Sequence, residues 1–200
     1  AVVATPTGRG VVLAPVVIDS TGAADIAATA GAQTVYIDAA DIAMQGTGLP
    51  PRKLGGSYAN TDFTFSDETD LVDVTQLFVS ARKGKEDAVF DMGNFIDTRE
   101  RRRIVGDYTL TVLDMMTERK YPDAVTLSKT NFDTHGYVVD PFFSLYMPDH
   151  GKVVATYTPY RCLLPKGPDG ILVTGLGMSA HRDVTPGGRM PAELPNQGYA

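Results

Sequence analysis

Residues 159–200 carry the pattern with the clearest chemical meaning. A predicted buried strand at residues 171–174 ends on Gly175, and the pair Gly187-Gly188 precedes a predicted helix that runs towards residue 200. Because glycine has no Cβ atom, the backbone at such positions can lie very close to a bound group. A helix N-terminus adds a partial positive charge. The segment therefore predicts a site for a phosphate or a flat ring.

Three side chains near this pattern, or in a basic run before it, are candidates for catalysis. His181 could exchange a proton with a substrate or clamp it; alternatively, it is a partly exposed histidine bound to a carbonyl or to Asp183. Arg189 could place positive charge beside a substrate carboxylate, or it could form a surface ion pair. Within the run 101–103, Arg103 is the arginine we expect to point inward, although such runs are more often exposed.

Other reactive residue types show no specific spacing. Asp133, His135 and His150 have the chemistry of metal ligands, but no tight spacing joins them, so we predict no metal site. Cys162 is the chain's single cysteine, which excludes an intramolecular disulfide and favours a small core residue. The Gly-x-Ser-x-Gly segment of α/β-hydrolases does not occur.

Composition narrows the class of protein. The chain has 200 residues, 43% of them hydrophobic, and a net charge of −6, which is typical of a globular protein with a proper core. The negative charge argues against nucleic acid as the main partner. We expect a soluble protein, since we find neither an apolar run of about 20 residues nor a signal peptide pattern. The sequence does not indicate a compartment.

Hydrophobic patterning predicts an α/β protein. Short strands are expected at residues 16–19, 34–37, 152–160 and 171–174, with helices at 23–30, 69–83, 108–120 and from about 187. We expect domain boundaries at approximately residues 45 and 150. We therefore expect residues 1–45 and 150–200 to form portions of one domain, with residues 46–149 inserted between them.

Three segments together resemble a known family. They are residues 16–25 (VVIDSTGAAD), residues 101–110 (RRRIVGDYTL) with Asp114 beyond, and residues 159–191. In this combination the chain resembles the FAD-dependent oxidoreductases of the two-dinucleotide-binding-domain flavoprotein type, over their C-terminal portion. The resemblance implies a partial FAD/NAD(P)-binding nucleotide fold, interrupted at residues 46–149 by a mixed α+β substrate or cap region.

The resemblance also implies a cofactor and a reaction. FAD would accept a hydride from a small organic substrate, with His181, Arg189 and Arg103 as the catalytic candidates. The residues expected to contact FAD are Thr21, Gly22, Gly175, Leu176, Ser179, Gly188, Met190 and Pro191.

Two departures from the family pattern affect the expected partners. The family usually has Gly-Asp-Gly after its threonine, whereas here Thr21 is followed by Gly-Ala-Ala-Asp, and no Gly-x-Gly-x-x-Gly loop occurs. We expect a second polypeptide or a missing N-terminal half to supply that loop, giving a hetero-oligomer in the first case. The alternatives are a non-catalytic scaffold subunit and a flavin-independent module that binds a ligand or protein through the aromatic loop 132–146.

Overall fold

The computed structural model describes residues 1–36, 43–44, 48–59, 64–67, 69–92, 102–134, 137–149, 152–190 and 193–200. Within these ranges the strands are β1 Val2–Thr5, β2 Gly8–Val11, β3 Val17–Asp19, β4 Thr34–Tyr36, β5 Ala43–Met44, β6 Thr64–Phe65, β7 Arg102–Ile104, β8 Ala124–Asn131, β9 Val153–Pro159 and β10 Ile171–Val173. The helices are α1 Asp25–Thr29, α2 Leu71–Arg82, α3 Val112–Met116 and α4 Glu193–Tyr199, and short 3-10 helices include Gly175–Gly177 and Arg182–Gly187.

Strands β3 and β10 pair in parallel, although they are far apart in the sequence. Val17 lies opposite Ile171, and Asp19 lies opposite Val173, so both strands end at the same edge. The other described pairs, β1–β2, β4–β7, β5–β6 and β8–β9, are antiparallel. This mixture of helices with parallel and antiparallel strands is compatible with the predicted α/β class.

The main core joins α3, β9 and the segment that follows β10. Its buried members are Leu110, Val112, Met115, Tyr121, Phe143, Val154, Cys162, Leu163, Met178, Ala180 and Val184. Removing this apolar surface from water stabilises the packing of these elements. The core contains residues from both sides of position 150, while the proposed domain boundaries at 45 and 150 stay predictions.

A smaller core holds α1 against the parallel strands. Ala24, Ala27, Ile104 and Val173 are its buried members. The small side chains of α1 allow the helix to lie close to β10 and β7. This packing fixes the turn between β3 and α1, which forms one side of the site described below.

Several elements differ from expectation. The helix expected from about residue 187 begins at Glu193, and Gly187-Gly188 end the preceding 3-10 helix and do not open α4. The predicted helix at 108–120 is shorter, since α3 covers only Val112–Met116. Strand β8 is not among the strands expected from hydrophobic patterning. Its buried positions carry Thr126 and Ser128, whereas Leu127 is 45% exposed, so the usual apolar alternation of a half-buried strand is absent. Among the described residues, none of the helices combines the length and hydropathy needed to cross a bilayer.

Candidate functional site

A pocket of 560 Å³ lies at the carboxyl ends of β3 and β10. Open α/β sheets bind ligands in the crevice outside the carboxyl ends of their parallel strands. The walls come from the two turns that follow these strands, from Arg189 and from α4. The lining residues are Ile18, Ser20, Gly22, Thr174, Gly175, Leu176, Arg189, Leu194, Pro195 and Gly198.

The turn after β3 is held by the buried carboxylate of Asp19. Its Oδ1 accepts hydrogen bonds from the Thr21 backbone N–H at 3.0 Å and from the Thr21 hydroxyl at 2.7 Å. Its Oδ2 accepts from the Ala27 N–H at 2.8 Å. Gly22, at the tip, has φ +83°, and the space that a Cβ atom would occupy there is empty. The turn therefore presents bare backbone to the pocket.

Arg102 supports the same turn from the opposite side. Its Nε donates to the Ala23 carbonyl at 2.8 Å, Nη1 donates to the Tyr36 hydroxyl at 2.7 Å, and Nη2 forms an ion pair with Asp25. Arg103, the arginine predicted to point inward, lies opposite Val35 in the β4–β7 pair and is not among the residues lining this pocket.

The turn after β10 is held by Gln197 of α4, a residue that the sequence analysis did not identify. Gly175 has φ +71°, and its N–H donates to Gln197 Oε1 at 2.9 Å. Gln197 Nε2 donates to the Gly188 carbonyl at 3.2 Å, and the residue is only 4% exposed. One buried amide thus joins α4 to both glycine segments. No spacing rule marks such a residue, because its partners are distant in the sequence.

The two turns are joined directly as well. The Ser20 and Thr174 hydroxyl oxygens are 2.8 Å apart, one donating to the other. A Cβ atom at Gly177 would lie 2.9 Å from the Ala24 nitrogen, so glycine there lets the Gly175–Gly177 turn lie against the start of α1. A Cβ atom at Gly188 would lie 2.8 Å from Met178 Cε. These glycines serve backbone packing around the pocket.

Arg189 supplies the positive charge among the described lining residues. Its side chain is 11% exposed, and Nη2 donates to the Asp133 carbonyl at 2.9 Å. The same nitrogen lies 3.9 Å from Asp133 Oδ2. Arg189 therefore joins the pocket wall to the segment that follows β8.

Comparison with known protein families identifies the group to which the chain is related. A family model described as FAD dependent oxidoreductase matches residues 58–198, which is more than half of the chain. The chain belongs to this family. No curated protein and no solved structure matches it. The family match confirms the resemblance found in the sequence, and because the family is FAD dependent, it confirms FAD as the cofactor.

Four of the residues predicted for this flavoprotein line the pocket together: Gly22, Gly175, Leu176 and Arg189. Thr21 lies beside them, with its hydroxyl accepting the Asp25 N–H at 2.8 Å within the turn. Gly188 contributes its carbonyl to Gln197, as described above. These positions come together through the parallel pairing of β3 with β10.

The remaining predicted residues that the structure describes are not among those lining the pocket. The Ser179 hydroxyl is 2.8 Å from that of Thr109 and is buried away from the pocket. The Met190 carbonyl accepts the Glu193 N–H at the start of α4, and Pro191 lies outside the described residues. His181 is 30% exposed; its Nδ1 accepts from the Asp183 N–H at 3.2 Å, and Nε2 lies 4.0 Å from Asp140 Oδ2.

Within the described part of the chain, no group of three His, Cys, Asp or Glu side chains lies close enough to hold a metal ion. His135 and His150 fall outside that part.

Proposed function

We propose that the pocket at the ends of β3 and β10 holds the flavin part of FAD, and that the chain serves a flavin-dependent oxidoreductase. The observation that carries this proposal is the convergence of Gly22, Gly175, Leu176 and Arg189 on one pocket at the carboxyl ends of parallel strands. All four residues were predicted from the family resemblance of the sequence. The match to the family model begins at residue 58, so Gly22 in the β3 turn is an observation independent of that match.

The lining suits a flat ring with a polar edge. Ile18, Leu176 and Leu194 offer apolar contacts, and the empty Cβ space at Gly22 leaves room for close backbone approach. Arg189 would stabilise the negative charge that a reduced flavin carries. When bound, FAD supplies a two-electron acceptor that takes a hydride from a small organic substrate.

We propose His181 as a residue that clamps the substrate by donating a hydrogen bond to it. Because Nδ1 accepts the Asp183 N–H, the neutral imidazole carries its proton on Nε2. The Nε2–H group can therefore donate to a substrate or to Asp140. A role as an acceptor at Nδ1 would require the loss of the Asp183 hydrogen bond.

We further propose that additional strands join the site, supplied by a second polypeptide or by an N-terminal segment with a Gly-x-Gly-x-x-Gly loop. Parallel sheets are normally covered on both faces and are larger than the β3–β10 pair. Val16, which directly precedes β3, is 52% exposed, and this supports an apolar neighbour there. Residues 46–149 would then be the inserted substrate region.

The test is a titration of the purified chain with FAD, alone and with a polypeptide that carries the Gly-x-Gly-x-x-Gly loop. Quenching of flavin fluorescence and the visible absorption bands report binding. Gly175→Val should lower the FAD affinity at least about tenfold, because it places a side chain against Leu194 in the pocket.

Gly84→Val is the matched control, since Gly84 also has a positive φ, of +74°, but lies outside the pocket lining. It should strain the backbone similarly and leave FAD affinity unchanged. If the wild-type chain binds FAD neither alone nor with the added polypeptide, the proposal is contradicted. That result would favour a scaffold subunit or a flavin-independent binding module.

A further inference from the structure

The buried face of the β8–β9 pair is lined by hydroxyl groups. Thr126 lies opposite Thr158, and Ser128 lies opposite Thr156, so the four side chains form two adjacent cross-strand pairs. Thr126 is 9% exposed and the other three are completely buried. A buried sheet face is normally apolar, and this one is polar instead.

None of these four hydroxyl oxygens has a hydrogen-bond partner among the residues that the structure describes. A buried hydroxyl without a partner destabilises the fold, and most buried polar side chains are therefore paired. Four such groups in register on one face form a concentrated set of unused donors and acceptors. This arrangement points to a polar ligand that completes them.

A buried ion pair already lies beside this face. Arg182 begins the 3-10 helix Arg182–Gly187, which packs on β8 and β9, and its Nε lies 3.9 Å from Asp183 Oδ1, with both side chains completely buried. Asp183 Oδ2 accepts the N–H groups of Val139 and Asp140 at 2.8 Å each. A charged ligand would have to be buried without a new counter-charge, which is costly. Hydroxyl groups both donate and accept, so they suit a neutral ligand that carries hydroxyls itself.

The hydroxyl face is connected to the pocket described above. The 3-10 helix leads through Gly188 to Arg189, which lines the pocket and donates to the carbonyl of Asp133, just beyond β8. The segment that covers the face therefore also reaches the pocket.

We propose that the β8–β9 hydroxyl face binds the substrate, and that the substrate is a neutral polyhydroxylated molecule, a sugar or a polyol. Its oxidation rests on the proposed function: one C–H bond breaks and the hydride passes to FAD, one O–H bond breaks and the proton passes to solvent water, and a carbonyl remains. A Cβ atom at Gly187 would lie 2.3 Å from Thr156 Oγ1, so the 3-10 helix covers the face closely. Ligand entry therefore requires this helix to move away from β9.

The test measures binding of glucose and sorbitol to the FAD-titrated full chain by saturation-transfer NMR, with gluconate as the charged comparison. The double variant Ser128→Ala/Thr156→Val removes two of the hydroxyls with little change in volume. We expect glucose or sorbitol to bind the wild type more tightly than gluconate does, and the double variant to weaken that binding about tenfold or more. Thr75→Val, at an exposed hydroxyl of α2 that is bonded to the Leu71 carbonyl, should bind as the wild type does.

FAD binding is followed separately by its absorption bands, which distinguishes the two proposals. If FAD binds but neither neutral probe does, or if the double variant keeps full affinity, the substrate inference is overturned while the flavin proposal stands. If a neutral probe binds and the double variant loses it although FAD does not bind, the hydroxyl site is supported and the flavin proposal fails.

Discussion

At the scale of single residues, the side-chain amide of Gln197 holds together the Gly175 and Gly188 segments, and the sequence does not reveal this role. Gln197→Leu would leave the Gly175 N–H and the Gly188 carbonyl buried without their partner. We expect the free energy of unfolding to fall by about 1–3 kcal/mol and FAD affinity to fall with it. Urea unfolding and FAD titration measure the two effects.

Asn196→Ala is the control for this prediction, because Asn196 is the exposed neighbour in α4. It should change both quantities little. If both variants have the same free energy of unfolding and the same FAD affinity, the hydrogen bonds of the Gln197 amide do not stabilise the pocket.

Cys162 gives a second prediction at this scale. The residue is completely buried, and burial raises the pKa of its thiol to about 12. Because the thiolate is the reactive form, iodoacetamide should not label native Cys162 at pH 8 on the timescale on which the urea-unfolded chain is labelled. Rapid labelling without urea, measured by intact mass, would contradict the burial of this side chain.

At the scale of elements, α3 begins with a capping box formed by Thr111 and Asp114. We expect the carboxylate of Asp114 to make the free energy of unfolding depend on pH. Burial by itself would raise the pKa of Asp114, but hydrogen bonds from the hydroxyl and backbone N–H of Thr111, and from the Tyr108 hydroxyl, outweigh it and lower the pKa to about 2. The same carboxylate is 3.1 Å from Arg119 Nη1.

Because this pKa is lower in the folded protein than in the unfolded chain, Asp114 stabilises the fold above about pH 4. That contribution, about 2 kcal/mol, should be lost as the pH falls towards 2. Urea unfolding between these pH values should show a weaker loss for Asp114→Asn than for the wild type. Asp107→Asn, at an exposed position, should follow the wild type, and a parallel loss in both variants would contradict the assignment.

The contact between the two pocket turns provides another prediction for elements. Gly177→Ala would place a methyl group 2.9 Å from the Ala24 nitrogen and 3.0 Å from Val173 Cγ1, forcing α1 away from β10. We expect a loss of about 1–3 kcal/mol in the free energy of unfolding. Gly198→Ala, where a Cβ atom meets nothing within 4 Å, should leave stability equal or slightly higher. Chemical unfolding of both variants checks the comparison.

At the scale of the whole molecule, several apolar side chains are exposed to solvent on β3 and on the stretch of chain before it. Val11, Leu13, Val16 and Ile18 are 69%, 91%, 52% and 45% exposed. Exposed apolar patches favour association, so we expect the isolated chain to self-associate with increasing concentration. Light scattering should show a smaller average mass for Leu13→Lys/Val16→Lys, whereas Leu54→Lys, at an isolated exposed leucine, should change nothing. A monodisperse wild-type monomer at all concentrations would contradict this expectation.

Much of the local structure follows from local chemistry. The N-cap of α2 is Asp70, next to the predicted start at residue 69, and α2 ends at Arg82, next to the predicted end at residue 83. The strands at β3, β9 and β10 agree with their apolar and β-branched runs. Strand β8 could not be found in this way, because it buries Thr126 and Ser128 and exposes Leu127. Residue polarity predicts burial only where the buried face is apolar.

The family, its FAD dependence and the two glycine turns follow from the residues themselves, because glycine's backbone freedom and the motif residues are local properties. Only the tertiary structure brought Gly22 and Gly175 to one pocket, since their meeting depends on the parallel pairing of β3 with β10. It also decided that Arg102 supports the β3 turn and that Gln197 joins α4 to both glycine segments. These contacts join residues that are distant in the sequence, and the role of Arg102 also depends on which face of β7 its side chain lies on. Neither property can be predicted from the spacing of residues along the chain.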